Sequence, residues 1–411
     1  MRNETYDLVV IGAGPAGMMA AGTAAEMGKS VLVLEKMKKP CLKLGITGKG
    51  RCNLTNLCDI DEFIKNIESG KRFMKYSLHE FSPEKLMRFF EKRGVVLKVE
   101  RGRRVFPESD RALEIVGALK DWVRKLNIPV YTDVEILNIQ KNENQIDNVT
   151  IRKKNRESSI ACHNLLIATG GKSYPKTGAT GDGYAMAKQL GHKITDIKPA
   201  LVPLETRENV RKLKGLKLKN INASLWVEEK KINEEFGELY FTEYGVDGPV
   251  VLTLSNQALK NLNKAVTLSI DLKPALSHKK LKNRLIREFS KQENFEGVLR
   301  SLMPEQLVDY CIQHLEIDRM KDCEIVTAEE RKELRLWLKD FQLQIYSTRP
   351  IDEAIVTAGG VNLKEVDRQT MRSKFVNNLY FAGEVLDIDA LTGGYNLQMA
   401  FSTGYIVGKS I

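Results

Sequence analysis

The run Tyr6-Asp7-Leu8-Val9-Val10-Ile11-Gly12-Ala13-Gly14-Pro15-Ala16-Gly17 constrains this chain more than any other segment. Strand-forming residues, apolar enough to be buried on both faces, lead into a glycine turn and an alanine-rich helical stretch ending near Gly28. A second apolar run, Val31-Leu32-Val33-Leu34, ends on Glu35, 23 positions after Gly12. Strand, glycine turn, helix, strand and terminal acid form the βαβ unit that holds an adenine dinucleotide. Gly12 permits the tight turn, Gly14 lets the backbone approach a pyrophosphate, and Gly17 lets the helix lie close on the strand. The helix N-terminus offers free N–H groups and a positive dipole end, and Glu35 can accept from ribose hydroxyls.

This fingerprint serves FAD and NAD alike. Two later strands lean towards FAD: Asn164-Leu165-Leu166-Ile167-Ala168-Thr169-Gly170-Gly171, and Asn378-Leu379-Tyr380-Phe381-Ala382-Gly383-Glu384. Each is a buried strand ending in a glycine turn, as expected of strands that return to a nucleotide sheet. Glu384 or Asp387 is then placed to meet the ribityl chain. The segment Leu391-Thr392-Gly393-Gly394-Tyr395-Asn396-Leu397-Gln398 opens a last helix. Its N-terminus, aimed at the flavin pyrimidine edge, would stabilise the negative charge of the reduced ring. No second GxGxxG occurs, so a nicotinamide donor would bind without a Rossmann domain of its own.

Composition narrows the class. The 411 residues allow two or three domains, and 42% hydrophobic with 28% charged residues is ordinary for a soluble globular protein. The cysteines at 41, 52, 58, 162, 311 and 323 form no CxxC pair and no zinc-like spacing with the five histidines. That pattern predicts reduced thiols in a cytoplasmic protein and no metal site. Leu8 to Ala25 carries no charge, but its Gly, Ala and Pro content reads as strand and turn, not as a membrane span. The net charge of +11 is spread along the chain in short clusters such as Arg101-Gly102-Arg103-Arg104. A solvated surface explains it better than nucleic-acid binding, and an acidic substrate would welcome it.

Residues 36–56, KMKKPCLKLGITGKGRCNLTN, read as a long glycine-bearing loop. Lys43, Lys49 and Arg51 would give it a cationic wall, and Thr47, Asn53 and Asn56 neutral donors. Lys49 and Arg51 would also favour a thiolate at Cys52, although a backbone contact is the better reading of that residue.

Together, GxGPAG, TGKGRCNLTN, ATGGKSYPKTGATGDGY, GELYFTEYGVDGP and LYFAGEVLDIDALTGGYNLQMAFSTG resemble the YhiN-like (BaiN-type) flavoproteins. The matching blocks span most of the chain and are weakest over 60–100 and 270–345. The resemblance implies bound FAD, contacted at Gly12, Gly14, Ala16, Gly17, Glu35, Lys36, Arg51, Cys52, Asn53, Gly383, Glu384, Asn396, Leu397 and Gln398. It further implies that the backbone of Val134 meets adenine. Asp247 stands where the family pattern GELxFTHxGxSGP has Ser, which loosens any assignment of substrate by family. The family includes bile-acid enone reductase-like and aminoacetone oxidase-like members, two different half-reactions on one scaffold.

The fold expected is α/β, a discontinuous Rossmann-like FAD-binding domain (1–196 and 345–411) with an inserted β-rich substrate domain (197–276 and 327–344) and a helical subdomain (277–326). Leu216–Leu218, Ala223–Val227, Val250–Leu254 and Val266–Ile270 read as strands, with a turn at Asp247-Gly248-Pro249. Thr327 and Glu330 have capping-box form before an amphipathic run, and Trp226 and Trp337 read as core residues. The leading expectation is a reductase that passes hydride from NAD(P)H through FAD to a polarised C=C bond. The resemblance makes the substrate a small molecule, a 3-oxo steroid or bile-acid enone, free or as its CoA ester. Tyr244, Tyr174 and Tyr395 border glycine-rich motifs and are the candidate proton donors. The alternatives are an amine oxidase that releases peroxide, and a flavoprotein that binds RNA or a protein.

Overall fold

A computed structural model of the protein describes residues 5–411; residues 1–4 of the expected first domain lie outside it. The described chain forms two compact units, one from residues up to Ala200 with Ile351–Ile411, the other Leu201–Pro350.

The first unit is built on a seven-stranded sheet. Strand β1 (Tyr6–Ile11) lies parallel to β2 (Val31–Leu34) on one side and to the strand Arg156–Ile167 on the other. Residues 8–11 and 31–34 are buried, as a sheet covered on both faces requires. Arg156–Ile167 has two roles. Its first half pairs antiparallel with Gln145–Lys153, and its second half joins the parallel core. Leu379–Phe381 then adds in parallel on its far side. In this register Ile11, Ile167 and Phe381 lie in line, so three strands end at one edge of the sheet.

Helix α1 (Pro15–Glu26) connects β1 to β2 and is buried from Ala16 to Ala24. Its small residues admit the last helix, Tyr395–Ser410: a side chain at Gly404 would collide with the Ala16 carbonyl. Residues 36–56 are more ordered than a loop. They contain the helix Leu42–Ile46, a short 3-10 turn at Thr47–Gly50, and the strand pair formed by Thr55 and Asn56 with Val105 and Arg104.

The second unit is a closed six-stranded barrel: Leu204–Thr206, Gly245–Asp247, Lys230–Phe241, Lys217–Val227, Val266–Asp271 and Phe341–Thr348, closing onto the first. Four helices, His278–Phe289, Phe295–Leu302, Glu305–Leu315 and Ala328–Lys339, share the barrel's core, where Phe341 meets both Tyr310 and Trp337. The Thr327–Glu330 capping box is formed in both directions. Two sequence readings need correction. Val250–Leu254 belongs to the helix Pro249–Leu259, started by Pro249 at its first turn; Val250, Leu254 and Ala258 recur at helical spacing on its buried face. A short apolar run cannot distinguish strand from buried helix. Trp226 is only half-buried on the outer face of its strand, whereas Trp337 is a core residue as expected. Among the described residues no helix is long and apolar enough to cross a membrane, and no cluster of His, Cys, Asp or Glu could hold a metal ion.

Candidate dinucleotide site

The turn after β1 is drawn tight. The Gly12 amide donates to the Leu34 carbonyl at 2.8 Å. Gly12 has φ +105°, and a Cβ there would sit 2.5 Å from the Ala168 carbonyl oxygen, so glycine is required on both counts. A Cβ at Gly17 would fall on the Gly12 carbonyl, which keeps helix and turn in contact. Gly14 caps α1 and faces open space: a Cβ added there would meet nothing within 4 Å. The first intrahelical bond runs from the Met18 amide to the Gly14 carbonyl at 2.9 Å, and Pro15 has no N–H. The amides of Ala16 and Gly17, in the first turn, therefore have no intrahelical acceptor and suit a pyrophosphate.

Glu35 is fixed from both sides. One carboxylate oxygen accepts from the Ala13 amide at 2.8 Å and the other from the Met37 amide at 2.9 Å. A carboxylate has about four acceptor sites, so two remain for ribose hydroxyls. Val134 lies beside it, with its amide committed to the Glu35 carbonyl at 3.1 Å. Lys36 reaches Thr180 and Asp182, both at 2.6 Å.

Strands ending at Ile167 and Phe381 deliver Thr169–Gly171 and Gly383–Glu384 to the same edge as Gly12. The Glu384 carboxylate accepts from Lys43 Nζ at 2.8 Å and from the Thr357 amide at 2.8 Å. Lys43 also reaches the Ser173 hydroxyl at 2.7 Å, and the Gly383 amide donates to Thr403 at 2.9 Å. Asp387 is turned to the Thr195 hydroxyl and the Gly359 amide, and its burial pushes the carboxyl up from its ordinary value. Thr357 lies in no motif, and Ser173 and Thr403 lie within quoted blocks without being singled out, so sequence reasoning missed all three; only the fold assembles polar residues so far apart in the chain.

At the last helix, Gly394 caps the N-terminus and the amides of Asn396 and Leu397 lie in its first turn. The side chains there are already used. Asn396 clamps Ala390 in both directions, at 3.0 and 2.8 Å. Gln398 is fully buried and bonds Thr55 at 2.6 Å, the Phe81 carbonyl at 2.9 Å and Ser402 at 3.0 Å. Any cofactor contact from this segment is left to its backbone. Arg51 is likewise committed, bonding Glu100 and Asp110 and lying over the Phe106 ring at 4.2 Å.

The cationic neighbours of Cys52 do not make it a thiolate. All six cysteines are buried. Burial pushes the Cys52 thiol up to about 12 despite its cationic neighbours. The proton-donor candidates separate. Tyr395 is buried edge-on to Phe63 at 4.8 Å, its phenol pushed up by burial and by Cys58, so it packs as a core residue. Tyr174 is half-buried, in a left-handed conformation with φ +56°, just after the Gly170-Gly171 turn. Tyr244 belongs to the barrel unit and is exposed, with the Arg349 guanidinium 3.9 Å from its ring centre.

The residues at this edge fit an adenine dinucleotide. Besides the open helix N-terminus, Asn53 Oδ1 is buried without a hydrogen-bond partner. Such orphans cost free energy unless something bound there supplies the partner. The family described as HI0933-like protein Rossmann domain matches residues 6–410. The chain belongs to that family. It is an FAD-dependent oxidoreductase, and the resemblance to the YhiN-like flavoproteins is borne out.

Relatives of the HI0933-like chain include a 3-dehydro-bile acid delta(4,6)-reductase of Clostridium scindens, 28% identical over 408 residues and covering 98% of each chain. A ribosomal RNA dihydrouridine synthase of Escherichia coli is 29% identical over 418 residues, covering 99% of this chain and 98% of that one. Among solved structures, a flavocytochrome c3 fumarate reductase matches with TM-score 0.56 at 16% identity, over 99% of this chain and 78% of that one. A 3-ketosteroid delta1-dehydrogenase of Sterolibacterium denitrificans matches with TM-score 0.53 at 13% identity, over 98% and 99%. These likenesses establish the fold.

Proposed function

We propose that this HI0933-like protein saturates a C=C bond conjugated to a carbonyl, with NAD(P)H as reductant. One observation carries the reading. Two full-length relatives with different substrates are named for the same kind of chemistry, a delta(4,6)-reductase and a dihydrouridine synthase. Dihydrouridine is uridine with its ring C=C saturated, and that bond, like a steroid enone's, is conjugated to a carbonyl.

FAD supplies the hydride chemistry when bound. The chain's own residues hold and tune it. Glu35 and the first turn of α1 take the adenosine and pyrophosphate; Gly12, Gly14, Ala16, Gly17, Asn53 and Val134 shape that cradle. The backbone of Arg51, Cys52 and Gly383 contributes further contacts, with Lys36 and Glu384 at the rim. The amides of Asn396 and Leu397, at a helix N-terminus, stabilise negative charge on the flavin ring. Tyr174 and Tyr244 are the phenols proposed to return a proton to the substrate carbon.

The specific substrate in this reading is a 3-oxo steroid or bile-acid enone. A second reading, a uracil base in RNA, is suggested by the ribosomal RNA dihydrouridine synthase relative, and the net charge of +11 is compatible with it. The test is anaerobic mixing of the purified holoprotein with NADH, NADPH and a small amine panel, followed in the flavin's visible band. Bleaching by a nicotinamide, reversed by an enone, supports the reductase. Bleaching by amine alone, with peroxide on admitting air, overturns it in favour of an oxidase.

A further inference from the structure

The barrel unit places two exposed tyrosines on one ledge. Tyr346 points outward from the strand Phe341–Thr348 and is 48% exposed; Tyr244, just before Gly245–Asp247, is 44% exposed. The short strand Leu204–Thr206 pairs with both neighbours, so Glu205 sits opposite Gly245 on one side and Ser347 on the other. The two rings flank Glu205: the Tyr346 phenol hydrogen-bonds its carboxylate, and its ion-pair partner Arg349 lies at the Tyr244 ring. Arg349 bonds Glu205 at 2.8 Å and lies under the Tyr244 ring, and both members of this ion pair are largely buried. The Arg207 guanidinium is 5.9 Å from the Tyr346 ring centre.

A cationic rim adjoins this ledge. Lys214 pairs with Glu243 at 3.2 Å, which ties the segment 211–219 beside Tyr244. That segment exposes Arg211, Lys212, Lys214, Lys217 and Lys219, of which Glu243 offsets one. Flat aromatic faces held on a rigid base, with phosphate-seeking cations alongside, are what single-stranded nucleic acid needs: rings for bases, cations for the backbone. An acidic peptide would use the cations but would leave the two rings without a matching planar partner.

We propose that this ledge is a stacking platform for single-stranded RNA, with Tyr244 and Tyr346 taking bases and the 211–219 segment taking phosphates. The proposal rests on the second reading above, in which the substrate base belongs to RNA.

The test is fluorescence anisotropy of the FAD-loaded protein with a fluorescein-labelled single-stranded RNA of about ten nucleotides, A and U mixed. Log affinity is expected to fall linearly with log salt. Tyr244→Ala and Tyr346→Ala should each weaken binding about tenfold without changing the salt slope. Tyr346→Phe should bind as wild type, because the ring face is retained. Lys212→Glu with Lys217→Glu should lower the salt slope by about 1.4. Bound-flavin content and melting temperature report whether each variant is folded; where alanine destabilises, Tyr346→Leu keeps the bulk without the planar face. No RNA binding at low salt, alanine variants with wild-type affinity, or equal affinity for a duplex of the same length would each overturn the platform. Binding is read without turnover, so the two ideas fail separately. A protein that binds RNA as predicted but is reoxidised by no steroid enone keeps the platform. One that turns over a bile-acid enone and ignores RNA loses it.

Discussion

Replacing Gln398 by Leu tests whether this side chain is a structural clamp or a cofactor ligand. Gln398 and Thr55 are both completely buried, and the Thr55 hydroxyl donates to the Gln398 carbonyl oxygen at 2.6 Å. The amide nitrogen serves the Phe81 carbonyl and Ser402. In Gln398→Leu, the Phe81 carbonyl keeps its bond from the Ser402 hydroxyl at 2.8 Å. The Thr55 hydroxyl loses its acceptor in a place water does not reach. A stranded buried donor costs about 1–3 kcal/mol and the lost amide bonds about 1 more, so a loss of about 2–4 kcal/mol is expected. Adding Thr55→Val removes the stranded group with little change of shape and should restore about 1–2 kcal/mol, a favourable coupling between the two sites. Urea denaturation of the four proteins in the cycle, read by circular dichroism and by flavin release, gives both numbers. A single variant as stable as wild type, or a double variant whose losses simply add, would refute the clamp. Flavin loss at unchanged stability would show that the side chain reaches the cofactor after all.

Other expectations follow from the same geometry. Glu35→Ala removes charge-assisted acceptors for the ribose and should weaken FAD binding by about 2 kcal/mol, roughly thirtyfold, measured by flavin retained against dilution. His192 is buried with Nε2 2.8 Å from the Ser373 hydroxyl and Nδ1 3.2 Å from Glu365; burial lowers its pKa, with Glu365 opposing. Its neutral form is thus favoured in the folded protein. Its contribution is complete above the unfolded value of about 6.5 and is lost as pH falls below it, by up to about 1.4 kcal/mol per pH unit. Melting temperature against pH should therefore drop more steeply on the acid side for wild type than for His192→Gln; parallel profiles would refute this. The six buried thiols should react with an aromatic disulfide reagent only on unfolding. Rapid labelling of Cys52 in the native protein would contradict its burial.

The dinucleotide half of the site was legible because its signal is local. β1, the Gly12–Gly17 turn, α1, β2 and Glu35 follow one another in 30 residues; Gly12 is demanded by the adjacent strand and Gly17 by the Gly12 carbonyl, while Gly14 leaves open space. The capping box at Thr327 was legible for the same reason. Val250–Leu254 was not, since so short a mostly apolar run satisfies a strand and a buried helix equally until Pro249 is seen to start the helix. Tyr395, Asn396 and Gln398 sit in a glycine-rich motif that suggests ligand contact, yet their side chains are spent on Cys58 and Phe63, Ala390, and Thr55 with Phe81.

The sequence by itself determined the nucleotide-binding unit, its cofactor class and the return of the chain's far end to the same sheet. Backbone conformation and two-sided burial are short-range demands written into residue order. Only the tertiary structure decided which polar side chains remain for a ligand. Hydrogen bonding is a matter of partners, and Lys43 and Thr357 at Glu384, Thr55 at Gln398 and Asp110 at Arg51 lie 27 to 343 positions away along the chain. The same holds for the ledge of Tyr244 and Tyr346, which are brought together by the strand carrying Glu205.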